Sequence, residues 1–169
     1  MRLRVVTDAQ VAKRIEWLAE SGYEPSCDIV EPVRSYMQGF GLLLSGKAGC
    51  GKTMLMRLLM ENREEMQHVE DILDWGSSGL SDWYSFRDGR GVCIDDLGAE
   101  RVVSEFGNKD DLLKLVIGHR AERQNGRTHI TTNLSASEIA TRYGDRVLDR
   151  ILGMCRPFTI KQRSRRECV

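Results

Sequence analysis

A glycine-rich segment between two apolar stretches restricts the possible folds of this sequence more than any other part of it. The segment runs from Gly46 to Thr53 and reads GKAGCGKT, which fits the pattern G-x-x-x-x-G-K-[ST] without a mismatch. A short apolar run, 40–45, precedes it, and the run 54–59 after it carries apolar residues at helical spacing. The sequence therefore predicts a strand, a tight glycine loop and the first turn of a helix.

The residue types in this loop suit the binding of a nucleoside triphosphate. Glycines allow backbone N–H groups to turn inward around phosphate oxygens, and the N-terminus of the helix adds positive potential. Lys52 would reach the β- and γ-phosphates, and the Thr53 hydroxyl would hold Mg²⁺. The predicted cofactors are therefore ATP and Mg²⁺. The predicted nucleotide-binding residues are Gly46, Lys47, Ala48, Gly49, Cys50, Gly51, Lys52, Thr53 and Met54.

The composition narrows the class of protein. With 169 residues, 41% of them hydrophobic and 30% charged, the chain has the size and composition of one soluble globular domain. No apolar run approaches the roughly 18–20 residues that span a membrane, and the N-terminus has no apolar signal-peptide core, which predicts a cytoplasmic protein without a membrane partner. The five cysteines are odd in number and include no C-x-x-C pair, which argues against a disulfide framework and against a zinc site.

The apolar periodicity along the chain predicts an alternation of helices and strands. An amphipathic helix over 8–20 would be capped by Thr7 or Asp8, and a short helix would begin near Pro32. After the glycine loop and its helix, the predicted elements are a strand over 69–75, a strand over 91–96, a helix over 109–124, a strand over 128–133, a helix over 136–152 and a strand over 157–160. This alternation predicts an α/β fold with a parallel sheet and right-handed crossovers.

Two carboxylates, Asp95 and Asp96, end the apolar run that begins at Gly91. A buried parallel strand that ends in carboxylates places them at the sheet edge where α/β proteins bind ligands. Asp95 would position Mg²⁺ through its water shell, and Asp96 would orient the water that attacks the γ-phosphate. The alternative is that both residues belong to a strand-to-loop turn without a chemical role.

Four segments of the chain resemble the DnaC/IstB-like branch of the AAA+ ATPases, in the family's order over residues 40–166. They are Gly41–Leu44 running into the glycine loop, Ile94–Glu100 (IDDLGAE), Thr131–Ser135 (TTNLS) and Tyr143–Arg150 (YGDRVLDR). The resemblance implies a P-loop NTPase of AAA+ type, an α/β three-layer sandwich with a five-stranded parallel sheet. It also implies an ATPase core over 40–169 behind a helical extension over 1–39. Because the chain stops three residues after Arg166, the C-terminal helical lid of many AAA+ proteins is expected to be missing, as is usual for DnaC-type loaders.

The resemblance assigns roles to three further residues. Asn133 matches the sensor-1 residue, which lies beside the γ-phosphate and helps to hold the water; the alternative is a strand-end asparagine bonded to its own turn. Arg150 matches the arginine finger, which reaches the ATP of the neighbouring subunit, with Arg146 as the alternative. Arg166 matches the segment that supplies sensor 2, unless it belongs to a frayed basic tail. The predicted catalytic residues are Asp96, Asn133 and Arg150, the metal ligands are Thr53 and Asp95, and Arg166 joins the nucleotide-binding residues.

The spacing of Arg142, Arg146 and Arg150, at intervals of four residues, predicts one helix face opposite the apolar stripe. A guanidinium delivered from a neighbouring subunit can stabilise charge that develops on the γ-phosphate. The alternative is a solvated face with ion pairs such as Glu138–Arg142. The chain departs from the family at Asp96, where glutamate is usual, so slow hydrolysis is expected.

A contact with DNA must come from a local patch or from repeated subunits, because Lys plus Arg (25) balance Asp plus Glu (25). One candidate patch is the basic tail of Lys161, Arg163, Arg165 and Arg166. A second candidate is an aromatic group that would either stack single-stranded bases or anchor the core, namely Trp83, Tyr84 and Phe86, flanked by Arg87 and Arg90.

Through this resemblance, the sequence predicts a self-assembling ATPase that loads a replicative helicase onto DNA. Single-stranded DNA is the expected form. Two alternatives stay open: a transposition helper that recruits a transposase on duplex DNA, and an ATP-switched adaptor with little turnover. A nucleotide kinase is disfavoured, because no segment has the pattern of a lid over a second nucleotide and the helix with Arg146 and Arg150 would be unexplained.

Overall fold

The computed structural model describes residues 4–61, 65–72, 91–100, 109–123 and 126–162. Its helices are α1 (Asp8–Glu20), α2 (Val30–Gln38), α3 (Lys52–Met60), α4 (Lys109–Arg123), α5 (Ala136–Tyr143) and α6 (Asp145–Met154), with a 3₁₀ turn at Cys27–Ile29. Its strands are β1 (Gly41–Ser45), β2 (Glu65–His68), β3 (Gly91–Leu97), β4 (Arg127–Thr132) and β5 (Cys155–Thr159). Among the described residues, none of the helices has the length and apolar character of a membrane-spanning segment.

The five strands form one parallel sheet, as predicted, and the structure gives their order as β2–β3–β4–β1–β5. The chain after β1 passes through α3 to β2 at one edge, whereas the chain after β4 passes through α5 and α6 to β5 at the other edge. The connections of these two neighbouring strands therefore leave in opposite directions. The crevice outside the carboxyl ends of such a strand pair is where open α/β sheets bind ligands. The glycine loop follows β1 and Asn133 follows β4, so both predicted site segments border this crevice.

Alternating strand residues fill two apolar cores, one on each face of the sheet. Leu42 and Leu44 of β1 belong to the first core, which also contains residues of α1, α2 and α3. Leu43 belongs to the second core, which contains residues of α4, α5 and α6. β3 alternates in the same way, with Cys93 in the first core and Val92 in the second. Because helices cover both faces, these strands are continuous apolar runs in the sequence, and the fold is a three-layer sandwich.

The N-terminal helices belong to the first core. α1 begins at a capping box in which Thr7 and Gln10 exchange side-chain to backbone hydrogen bonds. The Arg14 guanidinium donates to the carbonyls of Leu58 (3.3 Å) and Leu59 (3.2 Å), near the C-terminal end of α3 where unpaired carbonyls carry partial negative charge. α1 is thus docked on the helix that begins in the glycine loop. The division of the chain into a helical extension over 1–39 and an ATPase core over 40–169 stays a prediction.

The strand predicted over 69–75 is wrong. β2 lies just before it, at Glu65–His68, and residues 69–72 are helical. All four β2 side chains are half-buried at the edge of the sheet, so this strand needs no apolar run. The apolar signal came from Val69 and Ile72, which are fully buried in the second core.

The single helix predicted over 136–152 is also wrong, because α5 ends at Tyr143 and α6 begins at Asp145. Gly144 separates them with φ 94° and ψ 154°, a conformation that no helix contains. The periodicity of apolar residues continues across the break because both helices pack on the second core. Arg142 and Arg150 consequently lie on different helices, so the predicted common face of three arginines does not exist.

Candidate nucleotide-binding site

The glycine loop turns tightly between β1 and α3. At Gly46 a Cβ atom would lie 2.4 Å from the carbonyl oxygen of Ile160, so the backbone after β5 leaves no room for a side chain there. Gly51 is the N-cap residue of α3 and has a left-handed conformation (φ 91°), and no side chain caps this end of the helix. The first N–H groups of α3 are therefore available to an anionic acceptor, as in other phosphate loops.

The Lys52 side chain joins the glycine loop to the end of β4. Lys52 is 5% exposed, and its Nζ donates to the carbonyls of Gly46 (2.8 Å) and Lys47 (3.1 Å) and to Asn133 Oδ1 (2.7 Å). All three acceptors are neutral oxygens. A phosphate oxygen would be a stronger acceptor because it carries a negative charge, opposite to that of the Lys52 ammonium.

Asp95 accepts hydrogen bonds from two hydroxyl groups, one in the first turn of α3 and one near the end of β4. Its Oδ1 lies 3.0 Å from Thr53 Oγ1 and 2.6 Å from Thr131 Oγ1, and the residue is 5% exposed. A carboxylate next to the first-turn hydroxyl is the oxygen donor set that suits Mg²⁺. The described residues contain no group of three or more metal-ligating side chains.

Asp96 lies next to Asn133 and is oriented by the backbone. Its φ of 60° is left-handed, and its N–H donates to Thr131 Oγ1 at 2.9 Å. Asn133 Nδ2 donates to Asp96 Oδ1 at 3.3 Å, and His68 Nε2 lies 3.8 Å from Asp96 Oδ2. The structure thus brings Lys52, Asn133 and Asp96 into one hydrogen-bonded chain.

Two of these neighbours were not predicted from the sequence. Thr131 contacts both Asp95 and the backbone of Asp96, and it lies in the TTN segment that was assigned for Asn133 alone. His68 pairs with Asp95 in the register of β2 and β3, so it would have been found if β2 had been placed at Glu65–His68.

The candidate arginine finger lies on α6, and its side chain contacts α4. Arg150 Nη2 donates to Glu122 Oε1 of α4 at 3.0 Å, and the Arg150 side chain is 24% exposed. Its guanidinium lies over Gly118, where a Cβ atom would be 2.6 Å from Arg150 Nη1. The alternative candidate, Arg146, is exposed.

Arg142 has a structural position that the sequence did not indicate. It lies at the end of α5 and pairs with the buried carboxylate of Glu100 at 2.8 Å. The Glu138–Arg142 ion pair, an example given for the alternative of a solvated face, is absent from the contacts of the described residues. Glu138 instead caps the start of α5 by accepting from the N–H of Ser135 at 2.7 Å.

Some predicted residues lie outside the described residues. These are Arg166, the tail residues Arg163 and Arg165, and the aromatic group of Trp83, Tyr84 and Phe86 with Arg87 and Arg90. The sensor-2 role of Arg166 and the stacking platform therefore stay predictions.

No protein-family model matches the sequence, and no curated protein matches it. Solved structures do match the fold. The DnaC helicase loader superimposes with a TM-score of 0.62 at 20% identity, over 94% of this chain and 93% of that chain. AMPPCP-bound DnaA from Aquifex aeolicus gives 0.61 at 11% identity, over 83% and 49% of the two chains. Domain III of the Thermotoga maritima replication initiation protein DnaA gives 0.55 at 14% identity, over 94% and 65%. Such low identities show a shared fold: the chain has the same three-layer α/β fold as the DnaC helicase loader.

Proposed function

We propose that this chain binds and slowly hydrolyses Mg-ATP, assembles with copies of itself in the cytoplasm, and acts on DNA by loading a replicative helicase. The observation that supports this most directly is the set of contacts around the crevice between β1 and β4. There Lys52 bonds to Asn133, Asn133 bonds to Asp96, and Thr53 bonds to Asp95.

In this proposal each group has a separate task. The loop N–H groups and Lys52 bind the phosphates, while Thr53 and Asp95 hold Mg²⁺. Bound Mg²⁺ would neutralise charge on the β- and γ-phosphates. Asp96 and Asn133 orient the attacking water next to the γ-phosphate, and the Asp96 carboxylate is the group that can accept its proton. Aspartate is one methylene shorter than glutamate, so the carboxylate stands farther from the water, which is the reason to expect slow hydrolysis.

In the proposed assembly, a neighbouring subunit supplies a cationic side chain to the γ-phosphate. Arg150 sits on α6 and would reach the nucleotide of a neighbouring subunit, where it stabilises charge on the γ-phosphate. To do so it must leave Glu122. That exchange is easy, because Glu122 is 69% exposed and an exposed ion pair contributes only about 0–1 kcal/mol.

The DNA-related role is supported by the structural neighbours. They include a helicase loader and a replication initiation protein, and one of them is described as bound to the nucleotide analogue AMPPCP. The net charge of the chain is zero, so a single subunit has no overall attraction to DNA. In the proposal, the assembly binds DNA through weak contacts that are repeated in each subunit.

The test measures nucleotide-dependent binding of labelled single-stranded and duplex oligonucleotides by fluorescence anisotropy, at one fixed salt concentration because phosphate contacts are strongly salt-dependent. ATP, but not ADP, should promote binding to the single strand. Lys52→Ala should abolish that response because it removes the ammonium that binds the phosphates. A preference for duplex DNA would indicate the transposition helper. DNA binding in neither nucleotide would contradict the proposal and favour the ATP-switched adaptor.

A further inference from the structure

The turn that follows Asp96 is held by a buried carboxylate. The Glu100 side chain is 1% exposed, and it accepts hydrogen bonds from the Gly98 N–H at 2.9 Å, from Arg142 Nη2 at 2.8 Å and from the Tyr143 hydroxyl. An ionised carboxylate is costly to bury unless its oxygens are paired in this way. None of these three partners belongs to the glycine loop, so the contacts of Glu100 indicate a role in holding the turn.

Arg142 ties the same turn to α5 through the backbone. Besides its ion pair with Glu100, the guanidinium donates to the carbonyl of Gly98 at 2.7 Å and to the carbonyl of Glu100 at 2.5 Å. One planar side chain thus contacts both ends of a three-residue segment. This fixes the path of the chain just after Asp96.

The backbone in this turn has a conformation that depends on such support. Asp96 has φ 60°, which is uncommon for a residue with a side chain, and the N–H of Ala99 donates to the Asp96 carbonyl at 2.9 Å. Gly98 has φ 97°, and a Cβ atom there would lie 2.5 Å from Leu134 Cδ1. A left-handed residue persists when its surroundings enforce it. The direction of the Asp96 carboxylate follows from this backbone conformation.

We propose that Glu100, Arg142 and Tyr143 form a clamp that positions Asp96 for hydrolysis. This inference rests on the proposed function, in which Asp96 orients the attacking water. The three residues are positioning residues, because they act through the backbone of residues 96–100 and do not contact the glycine loop. Tyr143 is the last residue of α5, so the clamp also joins the Asp96 turn to the start of α6, which carries Arg150.

The test separates nucleotide binding from turnover. Tyr143→Phe removes one hydroxyl donor and keeps the ring, and we expect the ATPase rate at saturating ATP to fall about tenfold, as for other residues that orient a catalytic group. The Kd for ATP should change less than about twofold, because the phosphate contacts of Lys52 are intact. Glu100→Gln should lower the rate further. Because Glu100 is buried, the Glu100→Gln variant can misfold. The Tyr143→Phe variant is therefore the one that decides whether the clamp positions Asp96.

A matched control removes the same hydroxyl group elsewhere. Tyr36→Phe changes a tyrosine of α2 that bonds to Arg127, and its ATPase rate should equal that of the wild type. In an Asp96→Asn background the clamp has no carboxylate to position, so Tyr143→Phe should change the residual rate less than about twofold.

Three outcomes would overturn the clamp. They are an unchanged rate for Tyr143→Phe, a loss of ATP affinity equal to the loss of rate, and the same fold-loss with and without Asp96→Asn. In all three the wild type still hydrolyses ATP, so the proposed function stands. A wild-type protein that binds DNA with ATP but shows no hydrolysis would instead remove the enzyme part of the proposed function, and the clamp's role with it.

Discussion

At the scale of single residues, the candidate site is organised by hydroxyl and amide groups at the ends of neighbouring strands. Thr131 of β4 donates to the carboxylate of Asp95 and accepts from the N–H of Asp96, so one hydroxyl orients both acidic residues. Asn133, two positions later, contacts both Lys52 and Asp96. These contacts lie within one chain, whereas the proposed arginine finger would act between chains, and this difference allows the two to be tested separately.

Arg150→Ala is expected to lower the ATPase rate about a thousandfold, the order of magnitude for a lost arginine finger. The Kd for ATP should stay close to that of the wild type, because Arg150 lies on α6 and pairs with Glu122 rather than with the glycine loop. The measurement is phosphate release at saturating ATP together with equilibrium binding of a fluorescent ATP analogue.

Arg146→Ala is the matched control for this variant, because Arg146 lies one helical turn earlier on the same helix and is exposed. Its rate should be near that of the wild type. If Arg146→Ala loses turnover and Arg150→Ala does not, the finger is Arg146. If neither loses turnover, the proposed trans contact is wrong.

At the scale of elements, the helix after Asn133 begins at a charged cap. Ser135 is the N-cap residue of α5, and Glu138 completes a capping box with it. The pKa of Glu138 is lowered by the hydrogen bonds that its carboxylate accepts from the backbone N–H and from the hydroxyl of Ser135. The cap fixes the start of α5 directly after the segment that carries Asn133.

The stability that this cap contributes should depend on pH. Because the pKa of Glu138 is lower in the folded chain than in the unfolded chain, the ionised carboxylate stabilises the fold above the ordinary glutamate value of 4.5, and the contribution is lost as the pH falls through the lowered pKa. Glu138→Gln keeps the shape but not the charge. The difference in free energy of unfolding between wild type and Glu138→Gln, measured by urea denaturation, should be constant near neutral pH and shrink in acid.

The capping box of α1 offers a neutral comparison, since its partner is Gln10 and not a carboxylate. Thr7→Ala should cost about 1 kcal/mol of unfolding free energy at every pH in the series. A Glu138→Gln difference that is equally independent of pH would show that the hydrogen bonds of the cap do not lower the pKa of Glu138.

At the scale of the whole molecule, the N-terminal helices and the nucleotide loop depend on the same core. Leu18 of α1 and Val33 of α2 are fully buried in the core that also contains Leu55 and Leu59 of α3. α3 begins in the glycine loop, so the packing of residues before this loop supports the helix whose N-terminus would face the phosphates of the proposed nucleotide.

Leu18→Ala should therefore lower the free energy of unfolding by about 2–5 kcal/mol in a single cooperative transition, as for other large-to-small core substitutions. The comparison is Leu115→Ala on α4, where the side chain is 64% exposed and the change should be within about 0.5 kcal/mol. Urea denaturation followed by circular dichroism gives both values. If Leu18→Ala showed a separate unfolding transition at a lower urea concentration, α1 would fold independently of the rest of the chain.

The fold was largely predictable because its signals are local. The apolar runs at β1 and β3 are covered on both faces, and α1 begins at a capping box. The predictions failed where context overrides the local pattern. β2 has no apolar run because it is an edge strand, and one apolar stripe spans α5 and α6 because both helices pack on the same core although Gly144 divides them.

The sequence by itself determined the glycine loop with its strand and helix and placed Asp95, Asp96 and Asn133 at strand ends, because these are contiguous patterns with a fixed local geometry. Tertiary structure alone decided which polar groups meet. Thr131 with Asp95, Glu100 with Arg142 and Glu122 with Arg150 are contacts between elements. Such contacts depend on strand order and on the direction of each side chain, and the periodicity of a single segment contains neither.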